Sequence, residues 1–283
     1  MQGKRVAITG PTAGIGRETA LELGRRGAQL VLLCRNVAKG EALAGEIAER
    51  GGSPAEVVHM DMASLASVRE AARAILASGE PLDVLLNNAG LINTERRESQ
   101  DGYEETLAVN HFAPFLLTGL LLPALQRAEA ARIVNVASDA HQFVRSMGFE
   151  DMQAQENYRT FREYGRSKLA NMLFTLSLAR RLEGQGITVN CLHPGAVSTS
   201  LGGQNPGVLS RLLPVLLKPF FRSPEQGAQT SIYLCCDEAV ADVTGRYFVR
   251  CKAVKPRPWA LDEGAAERLW EYTQDCVDFV YPQ

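Results

Sequence analysis

The chain has 283 residues, with 30 Lys and Arg against 32 Asp and Glu, a formal charge of −2, 46% hydrophobic and 22% charged residues. That balance belongs to a folded globular chain and excludes a disordered polymer or a polybasic nucleic-acid binder, so no nucleic-acid partner is expected. No apolar run reaches the roughly 20 residues of a membrane-spanning helix, the longest stretch being broken by Pro214, Lys218 and Pro219, and no span is expected.

The N-terminus, Met1-Gln2-Gly3-Lys4-Arg5, passes straight into Val6-Ala7-Ile8-Thr9. It lacks the apolar core and cleavage site of a secretory signal, so the expected location is cytoplasmic. From there, short β-branched-rich runs follow at Val6–Thr9, Leu30–Cys34, Glu56–His59, Val84–Leu86, Ile133–Val136 and Thr188–Leu192. They are too brief for helices and continuous enough for strands buried on both faces. Helical stretches alternate with them at Gly16–Arg26, Val37–Arg50, Ser64–Ala77, Tyr103–Gln126 and Tyr164–Leu182. Strict alternation predicts an α/β fold: one Rossmann-type, doubly wound parallel sheet with helices on both faces. No linker, repeat or low-complexity run divides the chain, so residues 1–283 form a single domain.

Pro114 falls inside the fourth helical stretch, where it removes an internal hydrogen bond and predicts a kink near Asn110. Ser223-Pro224-Glu225-Gln226 reads as a helix start, with Ser as N-cap, Pro at the first position and Gln at the capping-box position. The stretch before it, Gly202–Arg222, is the least regular part of the chain. The six cysteines (Cys34, Cys191, Cys235, Cys236, Cys251, Cys276) form no C-x-x-C pair and read as reduced thiols, not a disulfide framework. The four histidines, His59, His111, His141 and His193, are scattered, and no metal site is indicated.

The first strand ends in Thr9-Gly10-Pro11-Thr12-Ala13-Gly14-Ile15-Gly16 and a helix begins. Glycines there let a pyrophosphate approach the N–H groups and positive dipole of the helix N-terminus. The spacing is G-x-x-x-G-x-G, distinct from G-x-G-x-x-G, and a Gly-rich turn without a ligand is the alternative. The absence of G-K-[ST] excludes a P-loop nucleotidase on this motif. Nineteen residues after Gly16 stands Arg35. An acidic residue near this point suits the ribose 2′-hydroxyl of NAD, whereas Arg suits the 2′-phosphate of NADP, so Arg35 predicts NADP(H). A solvated surface Arg is the alternative, and Arg17 is a weaker second cation. Met60-Asp61-Met62 offers a carboxylate beside an adenine ring, or a helix cap.

Tyr164-Gly165-Arg166-Ser167-Lys168 places a phenol and an ammonium on one helical face. A free tyrosine titrates near 10, and an adjacent cation is expected to lower that value. Ser138 follows the strand Ile133–Val136, at the carboxyl edge where open α/β sheets bind ligands, and its hydroxyl could hold a substrate oxygen near Tyr164.

With these residues assembled, the sequence resembles the short-chain dehydrogenase/reductase family over nearly its whole length. The matching motifs are Thr9–Gly16, Asn87-Asn88-Ala89-Gly90, Asn110, Ser138, Tyr164 with Lys168, and Pro194-Gly195 followed by Thr199. The resemblance implies hydride transfer between a nicotinamide and a carbonyl or alcohol carbon. Tyr164 is then general acid in reduction and base in oxidation, Ser138 polarises the substrate oxygen, Lys168 binds the nicotinamide ribose, and Asn110 holds a relay water. It also implies cofactor contacts from Gly10, Thr12, Gly14, Ile15, Gly16, Arg35, Asp61, Met62, Asn87, Ala89, Gly90, Tyr164, Lys168, Pro194, Gly195, Val197 and Thr199.

Within the family, Cys34-Arg35-Asn36, Asp101-Gly102-Tyr103-Glu104, Val109-Asn110-His111-Phe112, Ser167-Lys168-Leu169-Ala170-Asn171 and His193-Pro194-Gly195 are similar to the retinol-dehydrogenase-like branch. That branch implies NADP(H) and small apolar aldehydes, ketones or alcohols as substrates. Two departures stand out: Ala137-Ser138 replaces the common Ser-Ser pair, and no N-terminal membrane anchor is expected, which weakens the case for retinol itself.

The substrate region is expected from Phe143, Met147, Phe149 and Met152, within the 25 residues between Ser138 and Tyr164. The family implies a lid at about 200–222, where Leu201, Val208, Leu209, Leu212, Leu213, Val215, Leu216, Leu217, Phe220 and Phe221 stand. Core, subunit interface, or peripheral membrane contact beside Lys218 and Arg222 are the other readings of that segment. The basic, Pro-rich stretch Lys252–Trp259 covers the site or wraps the surface. The expectation is an NADPH-dependent carbonyl reductase of the retinol-dehydrogenase-like type, monomer or homodimer. A steroid or polyketide-tailoring ketoreductase and a catalytically silent NADP-sensing protein are the rivals.

Overall fold

In the computed structural model the described residues are 1–195 and 222–282. β1 (Arg5–Thr9) and β4 (Val84–Asn87) are buried throughout, and β2 (Gln29–Cys34) at every position after its first. Strands buried on both faces demand helices above and below. α1 (Gly14–Arg25), α2 (Val37–Glu49) and α3 (Leu65–Ala77) supply them, joined through β3 (Glu56–His59). The second half adds β5 (Ala131–Val136), α6 (Thr160–Arg181), β6 (Ile187–His193) and α7 (Pro224–Cys236). It ends in β7 (Tyr247–Val249), β8 (Lys252–Val254) and α8 (Glu263–Val277).

One eight-stranded sheet runs in the order β3-β2-β1-β4-β5-β6-β7-β8. Every pairing is parallel except β7 with β8. The chain winds outward from β1 to β3, then crosses back to β4 and winds the other way. The loops leaving β1 and β4 therefore diverge at the carboxyl edge and open a crevice there. Apolar cores lie on both sides of the sheet, one built on α3, α6, α8 and residues 107–125, and the other on α1, α2 and α7.

The fourth helical stretch is composite: α4 (Glu105–Leu107), a π-helical turn over Ala108–Phe112, then α5 (Ala113–Leu125). Pro114 supplies no N–H to the Asn110 carbonyl four residues earlier. The expected break therefore takes the form of a widened turn that carries Asn110. Together these pieces, Glu105–Leu125, are long and apolar enough by length and composition to cross a membrane, contrary to the expectation from uninterrupted apolar runs; 89% of that window is buried as core.

The Ser223 start is confirmed, with the full capping box of Ser223 and Gln226 present. The C-terminal elements were not anticipated. β7 and β8 have three residues each and turn through Arg250 and Cys251, both at positive φ without glycine, which leaves no turn signature to read. α8 carried a legible signal: Asp262 as N-cap, bonded to the Ala265 N–H, followed by buried Ala266, Leu269, Trp270, Thr273 and Val277.

Candidate active site

The crevice is a cleft of about 1000 Å³, built from the ends of β1, β2, β4, β5 and β6. Thr9 and Asn88 stitch its floor. The Thr9 hydroxyl accepts the N–H groups of Asn88 and Ala89, each at 2.9 Å. The Asn88 amide donates back to the carbonyls of Thr9 and Gly10 at 2.9 and 3.1 Å. This fixes the glycine turn, in which Gly10 and Gly14 hold positive φ. A Cβ at Gly16 would stand 2.4 Å from the Gly10 carbonyl oxygen, so only glycine fits. α1 begins at this turn with Ala13 as N-cap, no side-chain cap and no acidic residue in its first turn. Its free N–H groups and dipole suit a pyrophosphate. The dinucleotide implied by the sequence therefore fits, with Gly10, Thr12, Gly14, Ile15 and Gly16 all lining the cleft.

At the far end Arg35, Lys39, Asp61 and Met62 line the same cleft. Arg35 is exposed and makes no hydrogen bond or ion pair among the described residues, so its charge is available to a ligand. Lys39, one helical turn on, is a second cation that sequence reasoning missed. Arg17 is corrected: Glu18 and Glu46 hold its guanidinium, and it does not line the cleft. Asp61 does not cap α3, a role Ser64 takes. Its carboxylate accepts the Ala63 N–H at 3.0 Å and turns the chain beside the cleft.

Ser138, Tyr164 and Lys168 meet at the other end. α6 presents Tyr164 and Lys168 on one face, with the ammonium 5.6 Å from the ring centroid. Lys168 is buried and donates to the Val136 carbonyl at 3.0 Å. Ser138 N-caps a 3-10 turn over Asp139–Phe143, its Oγ accepting from the Ala140 N–H at 3.2 Å. The expected lowering of the Tyr164 pKa by Lys168 is not present. Burial pushes the phenol up to about 12, against a smaller downward pull from its hydrogen bond with Ser138. Burial also brings Lys168 down to about 8. Desolvation outweighs the i, i+4 attraction because both groups sit in the same dry corner.

Asn110 stands in the π-turn, fully buried. Its Oδ1 accepts the Leu91 N–H at 2.8 Å, and its Nδ2 donates to the Leu91 carbonyl and the Ser167 hydroxyl. The side chain thus anchors the β4 loop against α6.

Ala89, Gly90, Pro194 and Gly195 line the cleft as expected. Asn87 does not: its amide turns inward, donating to Thr118 and Asn135, and the adjacent Asn88 takes its place. The parity of a strand decides this, since neighbouring residues point to opposite sides. Val197, Thr199 and the lid segment at 200–222, up to residue 221, lie outside the described residues. Met147 and Met152 are buried core, and Phe149 packs against that core, so of the four expected substrate residues only Phe143 lines the cleft. Phe161, three residues before Tyr164 on α6, joins it edge to face at 6.2 Å, and both rings are largely exposed at the rim. The Lys252–Trp259 stretch forms β8 and lines a separate surface pocket with Asp139 and His141. Among the described residues no cluster could hold a metal.

The family model for short chain dehydrogenases matches residues 4–206. The chain is 43% identical to retinol dehydrogenase 14 of Mus musculus over 290 residues, covering 98% of this chain and 86% of that protein. A crystal structure from Mycobacterium paratuberculosis superposes with a TM-score of 0.80 at 29% identity, covering 100% of this chain and 96% of the other. A protein described as an NAD(P)-dependent gluconate 5-dehydrogenase from Beutenbergia cavernae, with NADP bound at low occupancy, matches with a TM-score of 0.71. That match is 29% identical and covers 88% of this chain and 96% of the other.

Proposed function

The chain belongs to the short-chain dehydrogenase family and is a retinol-dehydrogenase-like oxidoreductase; from that premise we propose that it is an NADP(H)-dependent reductase of apolar aldehydes and ketones, reversible toward the alcohols. The observation that carries the reading is the convergence of Ser138, Tyr164 and Lys168 on one end of a cleft. Its other end is a glycine cradle on an uncapped helix N-terminus.

A bound nicotinamide supplies the hydride. The protein's part is protonic and geometric. The Tyr164 phenol gives its proton to the carbonyl oxygen in reduction and takes it from the alcohol in oxidation, and the Ser138 hydroxyl holds the same oxygen. Lys168, with Ala89 and Gly90 opposite, holds the nicotinamide ribose. The glycine turn holds the pyrophosphate, Asp61 and Met62 border the adenine, and Pro194 and Gly195 close the nicotinamide end. Asn110, anchored between the β4 loop and α6, holds the relay water.

NADP over NAD is supported by Arg35 and Lys39, two cations at the end of β2 with no carboxylate between them. An apolar substrate is supported by Phe143 and Phe161 at the rim. A cytoplasmic location is supported by six free thiols. The test is fluorescence titration with NADPH and NADH, followed by NADPH consumption against carbonyls from short aldehydes through long-chain aldehydes and retinal to steroids. Tighter NADPH binding with turnover of bulky apolar carbonyls is expected. NADPH binding without turnover across that panel would overturn the enzymatic reading in favour of a sensor.

A further inference from the structure

Two of the histidines that looked unrelated in sequence meet at one peptide bond. His141, in the 3-10 turn after Ser138, donates from Nδ1 to the Ser138 carbonyl at 2.8 Å. His193, at the end of β6, accepts at Nδ1 the N–H of Asp139 at 3.2 Å. The carbonyl and the N–H of the peptide that links Ser138 to Asp139 are therefore each held by an imidazole. The two rings must be opposite tautomers: a carbonyl can only accept, so His141 carries its proton on Nδ1, and an N–H can only donate, so His193 carries its proton on Nε2. The Nε2 proton of His193 faces Asp139 Oδ2 at 3.3 Å, and Tyr247 donates to Asp139 Oδ1 at 2.7 Å. Tyr247 also stacks edge to face on His141 at 5.5 Å, and Trp259 on the C-terminal side bonds the His141 carbonyl at 3.3 Å.

We propose that His193 and His141 are positioning residues that clamp the Ser138–Asp139 peptide from both ends and so fix the Ser138 hydroxyl against Tyr164. This rests on the role of Ser138 in the proposed reaction. Ser138 starts a short 3-10 turn whose own N–H groups, from Ala140 to its Oγ and from His141 to its carbonyl, tie it to the turn, so its aim at Tyr164 depends on how that turn is seated on the sheet. His193 on β6, and His141 within the turn where it packs on Tyr247 of β7, supply that seating, and a misplacement of about 1 Å at a reacting centre costs about 100-fold in rate.

The clamp also has a protonation state. Burial lowers the His193 pKa, and Arg222 and His141 reinforce that against the opposing pull of Asp139. Burial likewise lowers that of His141. The groups facing His193 are Asp139, His141, Arg222 and, through Asp139, the Tyr247 hydroxyl. The balance keeps His193 neutral at neutral pH, with Nδ1 free to accept. A proton on Nδ1 would set donor against donor at the Asp139 N–H and open the clamp on the acid side.

The experiment compares the wild type with His193→Leu and His193→Asn, whose Oδ1 replaces the Nδ1 acceptor but does not titrate. His193→Leu is expected to lower kcat about 10- to 100-fold with NADPH affinity unchanged. His193→Asn is expected to recover most of the rate and to lose the acid limb that His193 protonation gives the wild-type kcat profile. A wild-type kcat in His193→Leu, or an Asn variant as slow as Leu, would overturn the proposal. Nitrogen-15 spectra of the imidazoles in the ligand-free wild type at neutral pH give a second readout independent of activity. Opposite tautomers for His141 and His193 are expected, and the same tautomer for both refutes the clamp even if the enzyme turns over. Opposite tautomers in a protein that turns over no carbonyl would keep the clamp and refute only the catalytic reading.

Discussion

Lys168→Met should make the ligand-free protein more stable while abolishing its chemistry. The wild-type ammonium is buried, and its pKa stands at about 8 in place of 10.5. Below pH 8 both folded and unfolded chains carry the proton, and burying the charge costs the fold about 3 kcal/mol. Between about 8 and 10.5 the unfolded chain still holds the proton that the folded chain has released, so wild-type stability rises with pH. Above that window both states are neutral and the cost is gone. Methionine fills similar space without charge, and the Val136 carbonyl keeps the Asn171 amide as a partner at 3.4 Å. At about 2 °C per kcal/mol for a chain of this size, the variant should melt about 6 °C higher at pH 7 and converge with the wild type near pH 10.5. Thermal melts of both proteins across pH 6 to about 10.5 measure this, and taking the difference removes other titrating groups. A variant that melts below the wild type at pH 7, or a gap that does not close with rising pH, would refute the reasoning.

Tyr164→Phe removes the only proton-bearing group on that ring and should lower turnover about 10²- to 10⁴-fold while leaving NADPH binding intact, as single-turnover kinetics and titration will record. Arg35→Ala combined with Lys39→Ala should weaken NADPH binding about 10- to 100-fold and leave NADH unchanged; equal loss for both cofactors would remove the 2′-phosphate assignment. Light scattering should find a monomer, because the outer faces of α5 and α6 are covered from within. The Tyr281 hydroxyl bonds the Phe115 carbonyl at 2.6 Å, Trp270 packs on Phe115, and Gly119 lies so close under Phe279 that no Cβ fits. Truncation after Leu261 should expose that apolar face and drive self-association, and a truncated chain that stays monomeric and soluble would count against the covered-face argument.

The parallel sheet and its helices were legible because each buried strand is a continuous apolar run and each helix carries its own period. The cofactor loop was legible because a cradle for phosphate requires glycine, as Gly16 shows. What could not be read was direction at fixed composition. Asn87 and Asn88 are the same residue type, and only strand parity sends one into the core and the other to the cleft. Met147 and Met152 have the composition of a substrate wall, yet Arg166 reaches the carbonyls of Met147, Gly148 and Asp151 and pins that loop onto α6. That arginine stands inside the Tyr164–Lys168 motif, so the residue that buries the loop was visible while its target was not.

The sign of the electrostatics was hidden for the same reason. An i, i+4 phenol and ammonium in water attract as the phenol ionises, which predicts a lowered tyrosine. The fold removes the water from both, and each then resists its charged form: Tyr164 holds its proton to about 12 and Lys168 loses its own near 8. A group that ends beside them with negative charge would favour the ammonium, and one with positive charge would favour the phenolate. The resting protein therefore keeps Tyr164 protonated, as an acid for reduction must be.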